Sequence, residues 1–392
     1  MTHVISKWLL ALLCCGLLLA GGKAQTPDKT PPVTAEQYVA AGTQYTRARE
    51  YDKAVDAYRQ AIKLTPNLAA AHLGLGNVYN NMGRAADAVE PLKLAVRLDP
   101  DNASAHLNLS IAYVNLRHGE EALSEAQEAK RLSPNDPRVH NQLGIVLSSS
   151  FGRLEEALAA YNEARRLNPN LAYVNHNIGL MNMRLGRYAD AVEPFEDAAG
   201  LEPTDRDARF FLGEAYTKLG RYDDAINAFT KFLALKPDGY DALTNRAWLY
   251  LYAGGHGAEA AADARRFLAV YGWEDGTSPY RVIMANLGYR EAGEDEAARL
   301  ILAEAARHYG SKLGWPSPVI NYLRGETSAE EVLRAAGDND KKTEAHVYLG
   351  LDLLLQGKAD DARTHFEWVR EYGNKRFFEY PLAIAELKRM GR

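Results

Sequence analysis

Residues 172–205 read AYVNHNIGLMNMRLGRYADAVEPFEDAAGLEPTD. The pattern predicts two short amphipathic helices and a turn. Ile178 and Gly179 lie on the first helix, Leu185-Gly186-Arg187-Tyr188 make the turn, and Ala191, Phe195 and Ala198 lie on the second. Leu201-Glu202-Pro203 stops that helix, because Pro cannot continue the hydrogen-bond ladder. The same order of small, large and breaking residues returns about every 34 positions. A period of that size marks a stacked helical repeat.

Six copies keep the register. Residues 35–68 carry Gly42, Tyr45, Ala54, Tyr58, Ala61 and Pro66, and residues 69–102 carry Gly76, Tyr79, Ala88, Leu92, Ala95 and Pro100. Residues 103–136 have Ser110, Tyr113, Ala122, Ala126, Ala129 and Pro134, and residues 137–171 have Ala157, Tyr161, Ala164 and Pro169 after one extra residue near Ser148. The quoted copy is fifth, and 206–239 is sixth, with Gly213, Tyr216, Ala225, Phe229 and Pro237. This pattern resembles the tetratricopeptide repeat. The resemblance implies an all-α fold, a right-handed α-α superhelix closed by a C-terminal capping helix. Small residues at the eighth and twentieth positions let paired helices approach. The aromatics are expected to fill the space between one pair and the next. Asn67, Asn102, Asp136, Asn170 and Asp205 are placed to cap the following helix. One hairpin cannot bury its own apolar face, so the copies must stack, each touching its neighbours.

The chain has 392 residues, 47% hydrophobic and 25% charged, with a formal charge of -5. No basic field exists to hold a phosphate backbone, so a nucleic-acid partner is not expected. The first 24 residues are of a different kind. Lys7 precedes an apolar run from Trp8 to Ala20, and Gly22-Lys23-Ala24 offers small residues for a peptidase. This reads as a secretory signal peptide cut before Gln25. The run is short of the roughly 20 residues that span a bilayer. Both cysteines, Cys14 and Cys15, fall inside it. Neither follows a small residue as lipid attachment prefers, so the membrane is expected only if the signal stays uncleaved or is lipidated. A mature chain without thiols suits an oxidising compartment, and a bacterial periplasm is the simplest destination.

Residues 25–34 form a Pro-rich linker. The array spans 35–273, its seventh repeat degenerate around Ala247, Tyr250 and Gly254. Residues 274–392 hold a degenerate eighth repeat, a Trp315-Pro316 insert at 313–342, a final repeat at 343–376 and a capping helix at 377–390. Ser328-Ala329-Glu330-Glu331 reads as a capping box. Trp315-Pro316, Glu344-Ala345-His346, Tyr348-Leu349-Gly350 and Glu379-Tyr380-Pro381-Leu382 make this part similar to the periplasmic tetratricopeptide lipoproteins of the NlpI kind. That resemblance implies an adaptor that brings envelope hydrolases and proteases together.

No motif carries catalysis. GxSxG, HExxH and GxxxxGK[ST] are absent, and Gly74-Leu75-Gly76 lacks the third glycine and the preceding strand of a phosphate loop. His72, His106, His140 and His346 recur at one repeat position. Adjacent helices sit about 8–10 Å apart, whereas zinc ligands must reach one ion at about 2.0–2.1 Å. The histidines are therefore expected to pack, and no metal or cofactor is expected. Glu120-Glu121, Glu155-Glu156 and Asp360-Asp361 fall at helix starts, where acidic residues oppose the dipole. A glycan hydrolase centred on Glu326, Glu330 and Glu331 is the remaining enzymatic alternative, and the expectation is that the protein is not an enzyme.

Binding is expected in the groove lined by the first helix of each repeat. Its candidates are Asn77, Asn81, Asn108, Asn115, Asn141, Tyr173, His176, Asn177, Arg184, Phe210, Phe211, Asn245 and Trp248. Amides offer donors and acceptors to an extended backbone, and Phe210, Phe211 and Trp248 would hold apolar side chains. No repeat pairs Lys or Arg at position five with Asn at position nine, so the carboxylate clamp of chaperone-binding repeats is not intact. The expected function is a non-catalytic interaction scaffold of the bacterial envelope with a protein or peptide partner. A membrane-associated assembly or secretion factor is the alternative, and a homodimer through the degenerate repeats stays open.

Overall fold

The structure, a computed structural model, describes residues 33–309, 314–377 and 379–391. The expected signal peptide, Cys14, Cys15 and nearly all of the linker lie outside the described residues. Those described form 21 helices and no strand. The chain divides at Pro100 into two units.

The first unit holds α1 (Ala35–Arg47), α2 (Tyr51–Leu64), α3 (Ala69–Asn81) and α4 (Ala85–Leu98). Thr34 caps α1 in a capping box with Gln37. The hairpin α1–α2 closes on one pairing: a methyl group added to Gly42 would lie 2.8 Å from the Tyr58 ring. That is inside van der Waals contact, so only glycine fits. The same ring also lies under Gly74 of the next hairpin.

The second unit continues the hairpins: α5 (Ala103–Asn115) with α6 (Gly119–Leu132), α7 (Pro137–Ser150) with α8 (Leu154–Leu167), α9 (Ala172–Arg184) with α10 (Tyr188–Leu201), α11 (Arg206–Lys218) with α12 (Tyr222–Leu235), and α13 (Tyr240–Ala253) with α14 (Gly257–Tyr271). Gly144 packs on Tyr161, Gly179 on Phe195 and Gly213 on Phe229. The ring at position twenty-four thus fills its own hairpin as well as the space between one pair and the next, where Tyr58 meets Gly74 and Phe195 meets Phe211. Where the third repeat has Ala126 instead of a ring, position eight takes Ser110, whose hydroxyl donates to the Ala122 carbonyl at 2.8 Å. Asn102, Asp136 and Asp205 cap their helices as expected. Asn67 and Asn170 do not, because they stand two residues before the helix instead of one, and Leu68 and Leu171 occupy the cap.

The turn inside each hairpin needs one left-handed residue. Gly83, Gly186, Gly220 and Gly357 supply it, at φ between 70° and 77°. Arg49 and Arg117 hold the same place at φ 60° and 62°.

From α13 onward, packing is no longer between neighbours alone. The helices α15 (Ser278–Glu291), α16 (Asp295–Tyr309), α17 (Ser317–Leu323), α18 (Ala329–Ala335), α19 (Asn339–Leu355), α20 (Ala359–Tyr372) and α21 (Glu379–Arg389) follow. Ser328 and Glu331 form the expected capping box, and Gly350 packs on Phe366 as in the earlier hairpins. The close approach of α14 and α15 is made by Gly257 and Gly288, since a methyl on either would strike the other's carbonyl oxygen. Helices α17 and α19 pack on α15, and α21 packs on α13 as well as on α19 and α20. One hydrophobic core therefore runs from Tyr216 to Leu387. The strictly neighbour-to-neighbour stack expected of a repeat array gives way here, because α15 and α19 bury side chains on several faces and α21 lays its one apolar stripe across α13, α19 and α20.

Candidate functional site

Within the second unit the first helices of successive hairpins touch directly in the pairs α5–α7, α9–α11 and α13–α15. The second helices α6, α8, α10 and α12 make no contact of similar extent among the described residues. A stack whose first helices touch and whose second helices do not curves with the first helices inside. Short polar side chains bridge that inner layer. Gln142 Nε2 donates to Ser110 Oγ at 3.1 Å, Asn177 Nδ2 to Asn141 Oδ1 at 3.0 Å, and Asn245 Nδ2 to Glu214 Oε1 at 2.8 Å. Asn141 and Asn245 are each only 9% exposed. Part of the amide row is thus spent on ties between repeats. Asn108 turns back to the Ser104 carbonyl at 2.8 Å. Asn115 is exposed at the end of α5. In the first unit Asn81 is exposed and reaches Asn77 on its own helix at 3.4 Å.

The open part of the surface centres on α9 and α11. Tyr173 is 43% exposed, Arg184 is exposed, and Asn177, His176, Phe210 and Phe211 are half-buried. His176 stands edge-on to Phe195 and Phe211, both at 5.7 Å between ring centroids. Phe211 stacks on Phe195 at 5.8 Å, and Phe210 turns toward Phe229 and Phe232 at 5.5 and 5.6 Å. Burial pushes the His176 imidazole down, and its Nδ1 has no hydrogen-bond partner. The unpartnered His176 nitrogen is itself buried, so the polar contacts open to an incoming chain are those of the exposed Tyr173 and Arg184, beside the half-covered Phe211 ring.

Trp248 is not part of an open surface, which corrects the sequence expectation. It is 4% exposed and stacks on Tyr348 of α19. The returning C-terminal helices cover it. Sequence reasoning also missed the buried ionisable groups around it, Arg281, Glu344 and Glu379. Glu344 and Glu379 stand within the stretches quoted for the family resemblance, but periodicity alone says nothing about which charges converge.

The recurring histidines serve the frame. His72 Nε2 pairs with the Pro66 carbonyl at 2.7 Å and His140 Nε2 with that of Pro134 at 2.6 Å. Asn175 makes the same bond to Pro169 at 3.2 Å in the repeat that lacks the histidine. His106 pairs with Glu125 at 2.6 Å, and His346 with His365 at 2.9 Å. Among the described residues no three His, Cys, Asp or Glu side chains converge to hold a metal ion. The insert's carboxylates are surface groups: Glu326 pairs with Arg324 at 2.6 Å, Glu330 is exposed, and Glu331 is held down to about 2 by the Ser328 backbone and the Thr327 and Ser328 hydroxyls.

Hairpins of this length, closed by glycine on an aromatic ring and stacked through their first helices, define a tetratricopeptide-repeat protein. The family model described as the cilia and flagella-associated protein 70 C-terminal domain matches residues 10–248. The chain belongs to that family. A comparison with curated proteins gives no match. Among solved structures, the APC/C hetero-tetramer Cut9–Hcn1 is similar at 20% identity and TM-score 0.51, covering 56% of this chain and 43% of that one. That likeness concerns the fold. PilF of Pseudomonas aeruginosa (21% identity, TM-score 0.48, 54% of this chain and 96% of that one) is less alike in shape. So is PilW, described as a widely conserved type IV pilus biogenesis factor (18%, 0.49, 54% and 97%). No helix among the described residues is long and apolar enough to cross a membrane.

Proposed function

We propose that the protein is a non-catalytic interaction scaffold of the bacterial cell envelope, and that a protein segment binds on the inner surface of α9 and α11. The observation that carries the reading is the patch of Tyr173, His176, Asn177, Arg184 and Phe211. It joins exposed polar groups to a half-covered aromatic ring on helices that a repeat stack holds rigid. Repeat proteins use such inner surfaces for extended partners. The envelope setting rests on the N-terminal sequence pattern, and an adaptor role for envelope enzymes rests on the resemblance read from Trp315-Pro316 and the other C-terminal stretches of the sequence.

The test is crosslinking mass spectrometry on the exported chain in cells, beside a variant with Tyr173→Ala and Arg184→Ala. Crosslinks from α9 and α11 to one protein, lost in the folded variant, are expected. Equal recovery of that protein by both forms overturns the assignment of the surface. A chain that keeps its first 24 residues and stays in the cytoplasm overturns the envelope reading.

A further inference from the structure

The C-terminal helices that cover Trp248 leave a cavity of about 370 Å³. Thr244 and Trp248 from α13, Tyr280 and Arg281 from α15, Glu344 from α19 and Glu379 from α21 line it, with Thr277, Arg376 and Phe377 from the segments before α15 and α21. Its size is at the small end of ligand pockets. Three of these groups are ionisable and more than nine-tenths buried: Arg281 is 5% exposed, Glu344 7% and Glu379 5%.

None of the three has an opposite charge in contact among the described residues. The Arg281 guanidinium donates from Nη2 to Thr244 Oγ1 at 2.8 Å, its Nη1 meets only the Met284 sulfur at 3.7 Å, and its Nε has no partner. Its face lies 4.6 Å from the centre of the Phe267 ring. Five N–H donors thus share one oxygen acceptor. Glu344 accepts from Trp315 Nε1 and, at 3.5 Å, from the Tyr280 hydroxyl. Glu379 accepts from the Tyr348 hydroxyl at 2.8 Å. All these donors to the carboxylates are neutral. Burial pushes both carboxyls up and the guanidinium down, outweighing the opposite charges of Asp275 and Glu379 felt by Arg281 and that of Arg281 felt by Glu379.

Buried charges are ordinarily paired, because leaving them desolvated and alone is costly. Here the buried Arg281 and two buried carboxyls line the same cavity without touching each other, between the rings of Trp248 and Tyr280, and a second cation, the exposed Arg376, stands at its edge. A ligand with one charge would satisfy one pole and worsen the other. We propose that this cavity binds a small zwitterion, an apolar α-amino acid, with its carboxylate on Arg281, its ammonium on Glu344 and Glu379, and its side chain against Trp248 and Tyr280. The site is separate from the α9–α11 surface and does not depend on it.

Calorimetric titration of the full chain with L-phenylalanine, N-acetyl-L-phenylalanine and L-phenylalaninamide tests the proposal. The free amino acid is expected to bind, and blocking either end is expected to weaken binding at least about tenfold. Glu344→Gln, shown folded by its thermal transition, is expected to weaken the free amino acid by about the same factor. Equal affinity of the blocked compounds overturns the two-pole assignment. Absence of binding at millimolar L-phenylalanine and L-leucine overturns the site. The ligand series on the native chain decides the matter even where the variant fails to fold.

Discussion

The indole of Trp248 and the ring of Tyr348 stack 100 residues apart in sequence, with centroids 6.3 Å apart and 20° between their planes. Tyr348 is fully buried and its hydroxyl donates to Glu379 at 2.8 Å. This contact seals α19 and α21 over α13. Replacing Tyr348 by Ala removes a large side chain from a closed core, and such truncations cost about 3–5 kcal/mol. Urea denaturation of Tyr348→Ala should show that loss, with Tyr348→Phe losing about 1 kcal/mol through the hydrogen bond alone. A midpoint unchanged in the Ala variant would mean that the C-terminal helices do not close on α13.

Two glycines on consecutive helices should respond to the same substitution with opposite signs. A methyl group on Gly179 would lie 2.6 Å from the Phe195 ring, which is itself fully buried and has no room to retreat. Gly179→Ala is expected to destabilise by about 1–3 kcal/mol. Gly200 lies near the end of α10 with nothing within 4 Å of an added methyl. Gly200→Ala should stabilise by up to about 1 kcal/mol through helix propensity. Thermal melts of the two variants beside the parent check both signs.

Arg49 and Arg117 occupy the left-handed turn position that glycine fills in other repeats. A side chain there costs about 1–2 kcal/mol, part of which glycine gives back through the looser unfolded chain. Arg49→Gly and Arg117→Gly are each expected to stabilise by roughly 0.5 kcal/mol net. A lowered melting temperature in both would indicate that these arginines make a contact outweighing the backbone strain.

Glu379 sets a pH dependence. Its carboxyl is pushed up to about 7 from 4.5, first by burial and then by the Glu344 charge. An acid that holds its proton more tightly folded than unfolded does not affect stability below about 4.5. As pH rises from there to about 7 the unfolded chain ionises first, and stability falls by at most about 1.4 kcal/mol per pH unit. Above about 7 the loss is complete and constant. Glu344 is raised by burial and acts in the same direction. His346 opposes them at the acid side: burial pushes it down to about 4 from 6.5, so its contribution is lost as pH falls through that window. Glu379→Gln keeps an acceptor for Tyr348 without the charge. Its melting temperature relative to the parent should climb between pH 4.5 and 7 and then level off. A difference independent of pH would show that Glu379 titrates normally in the fold.

The hairpins were legible from residues close in sequence. Gly42 and Tyr58, or Gly179 and Phe195, are sixteen positions apart, and a fixed turn brings such residues together in any chain that keeps the period. The recurrence of the histidines was legible for the same reason, but they were expected to pack one helix on the other, and the bond of His72 and His140 to a carbonyl six residues back appears only in the structure. The inner surface was legible only in part. Its candidate residues fall on the first helices, as the period implies, but the bonds from Asn177 to Asn141 and from Asn245 to Glu214 depend on how closely two repeats approach.

Trp248 marks the limit. At its position the sequence reports a repeat helix, and a repeat helix implies an inner face turned outward to a partner. Local pattern settles which residues share one face of a helix, because that follows from 3.6 residues per turn. It does not settle what covers the face, because α19 and α21 arrive there from about 100 and 130 residues further on. Burial of Trp248, and the meeting of Arg281, Glu344 and Glu379 around one cavity, result from that return of the chain. Contacts over such distances depend on the summed direction of every intervening turn, which no stretch of sequence carries by itself.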